Sequence, residues 1–513
     1  MKKNKYNIRF AVLIYVSVFA AFLLGGCKKN FLDRQPQGQY TEETYPYPGG
    51  SGPYDTYLFG AYSELRSFNV HSQSYIAATS IRSDDADKGS TPADGGANAI
   101  DMDNFPVSAS NGFANTLWTG YYTMISKCNI ALDQVYNNTA ITATTAQKAV
   151  AEGEAKFIRA YSYFMLVRLF GRVPLIDSVF TNTAAQSNVP QSSAAQIYAF
   201  IESDLQFAAD NLPLNWDARF VGRATSGAAN GLLAKVYLTQ QKWSLAMTTA
   251  NKVITSGQYN LSTTYDKIFR EDGENSKESV FEVQATASAT VPSANGVQYA
   301  QIQGIRGSGA FDLGWGWNTP STALEAAYEA NDPRKTRTIL YTSTGTTIYQ
   351  TIYGENLPVG LPNPRYNNKV YTNPSIRSSI GNRFGYWMNI RTLRYADVVL
   401  MYAEAANELN NTTEALAKLE LVRARARNGN NTILPAVTTT DQALLRDAIR
   451  KERRVELAME HDRFFDLTRW GIAQTTLHAA GKTNFSDARD VLLPIPQAQI
   501  DLSAGVLTQN PGY

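Results

Sequence analysis

The chain has 513 residues, 44% hydrophobic and 18% charged; that length fits two to four conventional domains, and that apolar content excludes low-complexity disorder. The 47 Lys and Arg face 45 Asp and Glu, and without the leader residues Lys2, Lys3, Lys5 and Arg9 the basic count falls to 43; near-neutrality excludes electrostatic capture of nucleic acid, which needs a basic excess or stripe. With 3 His and 2 Cys, a Cys/His metal cluster is nearly excluded by supply, and no metal or cofactor is expected.

Met1 to Arg9 is basic, Phe10 to Leu24 is apolar, and Leu24-Gly25-Gly26-Cys27 closes the run. This is the order of a secretory signal, too short for a comfortable membrane span of about 20 residues. Leu-Gly-Gly-Cys resembles a bacterial lipobox. The resemblance implies a signal peptide over 1–26, cleavage before Cys27 and lipid on that cysteine. The alternative is an uncleaved anchor with an incidental cysteine. Residues 27–55, rich in Gly, Pro, Gln and Tyr, read as an extended arm.

Asp84, Asp85, Asp87, Asp94, Asp101 and Asp103 then make an acidic stretch. Calcium favours such oxygens, but the twelve-residue spacing with a closing Glu is absent. A solvated loop is the plainer reading, with binding of sugar hydroxyls the next. Cys128 lies in a helical pattern and reads as a small buried residue.

Helical spacing follows. Ile158, Tyr161, Met165 and Leu169 share one face of a helix over 154–170, stopped by Gly171 and Pro174. Further helices fit 194–211, 226–240, 243–256, 393–409 and 414–427, and Asp441 is a good N-cap for another. Ala234, Tyr237 and Ala246 stand at the small, aromatic and small offsets of a tetratricopeptide repeat. Ala160 with Tyr163 and Ala403 with Ala415 repeat parts of that spacing. Small residues let paired helices approach closely while the aromatic fills the next gap.

Between 280 and 390 the texture changes to Gly, Pro, Asn, Thr and Tyr, with strand-like alternation at 278–284 and 347–353. Long irregular segments with high aromatic content are functional loops more often than disorder. Trp315, Trp317 and Asn318 follow Gly304, Gly307, Gly309 and Gly314. Aromatic faces suit the polarised C–H face of a sugar ring, and nearby Asn, Arg and Asp can bond its hydroxyls. Equally, both tryptophans could plug the core beneath the loop. Arg383, Phe384, Tyr386 and Trp387 mix guanidinium and aromatic character that suits a ligand, although packing explains Trp387 as well.

Residues 450–470 are dense in both signs. Paired carboxylates could serve acid/base chemistry, but the helical repeat and sign balance favour an ion-pair lattice, with His461 packed rather than catalytic. His71 and His478 have no neighbouring Ser, Cys or metal-ligand pattern, and no Gly-x-Ser-x-Gly or His-Glu-x-x-His occurs.

Blocks from end to end resemble the SusD/RagB family of outer-membrane lipoproteins. They include Phe31-Leu-Asp33, Glu154-Ala-Lys-Phe-Ile-Arg-Ala-Tyr161, Phe170-Gly-Arg-Val-Pro174 and Gly222-Arg-Ala-Thr-Ser-Gly-Ala-Ala229. Later ones are Arg394-Tyr-Ala-Asp397, Glu452-Arg-Arg-Val-Glu-Leu457, Arg463-Phe-Phe-Asp466 and Leu493-Pro-Ile-Pro496. The resemblance implies one mostly α domain over 56–513. It would have a tetratricopeptide-like helical-hairpin scaffold, a few short strands and an irregular loop-rich ligand face, the insert lying mainly at 280–390. It implies a non-catalytic, cell-surface, lipid-anchored protein of the outer membrane. Such a protein binds oligosaccharide, or in some members peptide, and acts as lid on a SusC-like TonB-dependent transporter. A surface glycoside hydrolase and a helical scaffold for a protein partner are the rival classes. The residues expected to approach the ligand face are Trp315, Trp317, Asn318, Asp84, Arg383 and Tyr386.

Overall fold

The computed structural model describes residues 52–180, 182, 188–293 and 296–513. The signal peptide, Cys27 and residues 28–51 of the expected arm lie outside the described residues. From Gly49 to Tyr513 the chain forms one unit, with its principal elements numbered here in chain order. They are α1 (Asp55–Glu64), β1 (Ala86–Gly89), α2 (Gly96–Asn104), α3 (Gly112–Asn137), α4 (Thr145–Phe170) and α5 (Ala194–Asn211). Next are α6 (Ser226–Thr239), α7 (Trp243–Thr255), β2 (Ser279–Val283), α8 (Tyr299–Gln303), β3 (Trp317–Pro320), β4 (Ile339–Tyr341) and β5 (Arg365–Asn367). The last are β6 (Ile390–Arg394), α9 (Tyr395–Glu408), α10 (Thr412–Arg427), α11 (Gln442–Glu456) and α12 (Arg463–Arg469).

The helical scaffold expected from spacing is present. α3 packs on α4, α4 on α5, α6 on α7, α7 on α9 and α9 on α10. The small positions Ala234, Ala246, Ala403 and Ala415 are fully buried at these contacts. Gly231 permits a further approach, since a Cβ there would fall 2.7 Å from Leu393 Cδ2 on β6. α4 begins nine residues earlier than its apolar face announced. Its first turns are held by a capping box between Thr144 and Gln147 rather than by burial. Asp441 caps α11 as expected, accepting from Leu444 N at 2.9 Å. Buried Arg159 ties three helices together: it reaches Asp204 on α5 at 2.8 Å and Asn129 on α3 at 2.8 Å.

The strands form short antiparallel pairs. β1 pairs with β3 from Ala86–Pro320 to Gly89–Trp317, β2 with β6, and β4 with β5. Residues 347–353 do not form the expected strand. Only isolated bridges join Thr344 to Thr347 and Gln350 to Asn356. The alternation leaves its first apolar residues in water: Ile348 is 53% and Tyr349 40% exposed.

Candidate functional site

Two loops and the start of α8 meet at the loop-rich face. The segment from Gly304 to Trp317 folds back on itself through Leu313 N to Ile305 O and Gly316 N to Gly304 O, both at 2.9 Å. Trp315 N donates to Gln301 O at 2.9 Å. The loop can lie this close only because position 314 is glycine. A Cβ there would fall 2.1 Å from Gln301 O and 2.8 Å from Gly304 Cα. Arg306 fastens the loop to the 90–94 turn, donating to Ser90 Oγ at 2.8 Å and pairing with Asp94.

The second loop, Asn382 to Trp387, approaches α8. Gly385 sits at φ +71°, and a Cβ there would meet Ala300 Cβ at 2.8 Å. Val297 N donates to Tyr386 O at 3.1 Å, and the Tyr386 hydroxyl donates to Gln301 Oε1 at 2.6 Å. Burial raises the Tyr386 phenol, so it stays protonated and able to donate. Arg383 crosses to the first loop and pairs with Asp312 at 2.6 Å. The Arg383 guanidinium lies over Phe384 at 5.1 Å, and Phe384 stands 5.9 Å from Tyr386.

Of the residues singled out in the sequence, the structure therefore brings Trp315, Arg383 and Tyr386 to one face. Trp315 is half-buried, Arg383 is exposed, and Tyr386 keeps 9% exposure. Asp312, Phe384 and Gln301 join them. Gln301 carried little signal beyond its three-residue spacing from Gln298.

Trp317, Asn318 and Asp84 are corrected by their burial. Trp317 is the core plug that the sequence left as an alternative. It is 3% exposed and sits 6.2 Å from Phe113, with Gly95 pressed against its ring. It backs Trp315 edge-on at 6.1 Å. Asn318 is fully buried, donating to Gln303 Oε1 at 2.7 Å. Asp84 is 2% exposed and held by Arg463 at 2.8 Å and Arg454 at 2.8 Å, while Asp85 takes Arg454 at 2.7 Å. Burial drives the Asp84 carboxyl up, but the hydrogen bond and charge of Arg463, then Arg454, outweigh it and hold it below the usual range. The start of the acidic stretch is thus a docking strap across α11 and α12, not a solvated loop. Charge neutralisation by distant arginines made its burial possible. Trp387 is likewise buried, its indole donating to Glu271 at 2.9 Å.

The residues 450–470 form the expected ion-pair lattice. Glu456, fully buried, meets Arg394 and Arg334 at 3.1 Å and Arg425 at 2.5 Å. Arg453 meets Asp397 at 2.5 Å and Asp466 at 2.8 Å. His461 is buried between Thr79 at 3.0 Å and the Tyr299 hydroxyl at 2.6 Å, a packed histidine. Burial pushes the Cys128 thiol far up and leaves it inert. Among the described residues no three His, Cys, Asp or Glu side chains converge as metal ligands do, and no helix is long and apolar enough to cross a membrane.

Two family models match the chain. That of the SusD family covers residues 277–513, and one described as starch-binding associating with outer membrane covers 61–238. SusD-like protein P2 of Formosa agariphila is 27% identical over 99% of this chain and 100% of its own. The starch-binding protein SusD of Bacteroides thetaiotaomicron is 30% identical over a shorter stretch, 31% of this chain and 28% of its own. A solved laminarin binding SusD-like protein is 27% identical with a TM-score of 0.74, covering 90% of this chain and 99% of that one. Surface glycan-binding protein A from Bacteroides fluxus is 26% identical with a TM-score of 0.75, covering 90% and 99%. With the helical-hairpin scaffold and the ordered motifs along its length, the chain belongs to the SusD/RagB family.

Proposed function

We propose that this protein captures an oligosaccharide at the cell surface without chemistry and delivers it to a SusC-like TonB-dependent transporter, on which it acts as a lid. One observation carries the reading: the loops bearing Trp315 and Tyr386 are joined through Gln301 and by the exposed Arg383–Asp312 pair. The full-length likeness to a laminarin binding protein supports it. A sugar ring stacks on the indole, while guanidinium and carboxylate exchange hydrogen bonds with its hydroxyls. Affinity is modest, because each hydroxyl leaves water for an equivalent partner. Asp312 is committed to Arg383, which supports binding over hydrolysis, for which two opposed carboxyls are needed. Lipid on Cys27 anchors the protein to the outer membrane, in keeping with the outer-membrane association named in the matching family description.

Calorimetry of the mature protein against a panel of glycans and peptides tests the reading. Binding to one glycan class, weakened about thirtyfold or more by Trp315→Ala, supports it; that is about 2 kcal/mol, typical of a central aromatic anchor. Binding to peptide alone moves the protein to the peptide-binding branch of the family. Release of reducing ends by the purified protein overturns the non-catalytic reading. For the lid, a disulfide locking protein to transporter blocks uptake; unchanged uptake sinks it.

A further inference from the structure

Gln301 is bonded to both halves of the face, through its main chain to the Trp315 backbone and through its side chain to Tyr386. Its main-chain oxygen accepts from Trp315 N at 2.9 Å, and its side-chain Oε1 accepts from the Tyr386 hydroxyl at 2.6 Å. Gln298, one turn earlier, also reaches the Tyr386 hydroxyl. A phenol hydroxyl has one proton to donate and accepts through its lone pairs. With that proton donated to Gln301 Oε1, the phenol engages the amide's oxygen and leaves its nitrogen for another acceptor. The two Nε2 hydrogens have no protein partner among the described residues, and Gln301 keeps partial solvent exposure. In this arrangement the amide offers Nε2 as its free donor beside Tyr386, on the residue whose main chain holds Trp315.

We propose that Gln301 is a ligand-contacting, specificity-determining residue. Its Nε2 donates to an acceptor oxygen of a saccharide ring stacked on Trp315, with Tyr386 fixing the amide's orientation. This inference rests on the proposed glycan reading of the face. It adds a directional demand that stacking lacks. Sugars presenting a hydroxyl or ring oxygen at that point bind well. Those with that oxygen removed or blocked lose the contact and leave a donor unpaired.

Three variants separate orientation from donation, read by calorimetry with laminarin and soluble starch as probes. Gln301→Glu keeps an acceptor for Tyr386 and the side-chain shape but has no donor. Gln301→Ala loses both functions. Tyr386→Phe keeps the ring and frees the amide to turn. The expected result is a five- to tenfold weaker association for Gln301→Glu, about one neutral hydrogen bond's worth. An equal or larger loss is expected for Gln301→Ala, and a smaller one for Tyr386→Phe, with Trp315 fluorescence unchanged in Gln301→Glu. Should Gln301→Glu bind as tightly as wild type while Trp315→Ala does not bind, the donor role falls and the glycan face stands. Should the wild type bind neither probe nor any other glycan, the reading of the face falls, and this inference with it.

Discussion

Glu456→Gln tests the lattice that joins the helical scaffold to the loop-rich half. The Glu456 carboxylate is fully buried and shared by Arg334, Arg394 and Arg425. These come from the segment before β4, the end of β6 and α10. Each arginine has a further acidic contact: Asp332 and Glu452 for Arg334, Glu278 and Glu460 for Arg394, and Glu278 for Arg425. The amide preserves volume but leaves one positive charge uncompensated in the interior. Removing one partner of a buried ion pair costs about 3–5 kcal/mol. Unfolding entropy runs near 2.1 cal/mol/K per residue, so the unit from Gly49 to Tyr513 has about 1 kcal/mol/K in all. The expected fall in Tm is therefore about 3–5 °C, measured by calorimetry at pH 7. Burial raises this carboxyl, but Arg425, Arg394 and Arg334 outweigh it and hold its pKa well below the ordinary glutamate value of 4.5. A depressed folded pKa gives stability that is present above 4.5 and lost as pH falls below it. The gap between wild type and variant should therefore narrow in acid. A Tm change under 1 °C, or a gap that does not vary with pH, would refute a shared carboxylate that is ionised in the fold.

Three further outcomes follow from the same contacts. Gly314→Ala places a methyl 2.1 Å from Gln301 O. It should cost about 1–3 kcal/mol of stability and displace Trp315, weakening glycan binding at least tenfold; calorimetry finding intact affinity would show the loop tolerates the atom. Asp84→Asn should lower stability by about 2–4 kcal/mol, because Arg463 and Arg454 lose a buried partner. It should leave affinity unchanged, and weaker binding at unaltered stability would return Asp84 to the ligand face. His71 is buried with Nδ1 on Leu65 O and Nε2 on the Tyr161 hydroxyl, both at 2.6 Å, and burial lowers its pKa to about 4. The unfolded chain takes up a proton near 6.5 that the folded chain refuses, so stability drops as pH falls from 6.5 towards 4. The slope reaches about 1.4 kcal/mol per pH unit. Urea unfolding of His71→Asn between pH 4.5 and 6.5 should lack this component, and parallel slopes in both proteins would exclude it.

Periodicity and stop signals determined the helices, because an apolar face and its glycine or proline end are local properties of the chain. The boundaries of α5, α6 and α7 fall within a residue of the expected spans, and Asp441 announced its own helix. The repeat-like small residues also told which faces pair. The family motifs, spread in order along the chain, carried the architecture. What the tertiary structure alone decided is which polar and aromatic residues face water. Trp315 and Trp317 stand two apart on the same glycine-rich loop. Only the packing of Phe113 and Gly95 against Trp317 makes that one core and leaves the other at the surface. Asp84 reads as solvated until Arg463, nearly four hundred residues away, supplies the charge that permits its burial. The strand expected at 347–353 failed for the same reason, since only isolated bridges reach it and Ile348 and Tyr349 stay exposed. Residues distant in sequence set desolvation and pairing, and local pattern carries no term for either.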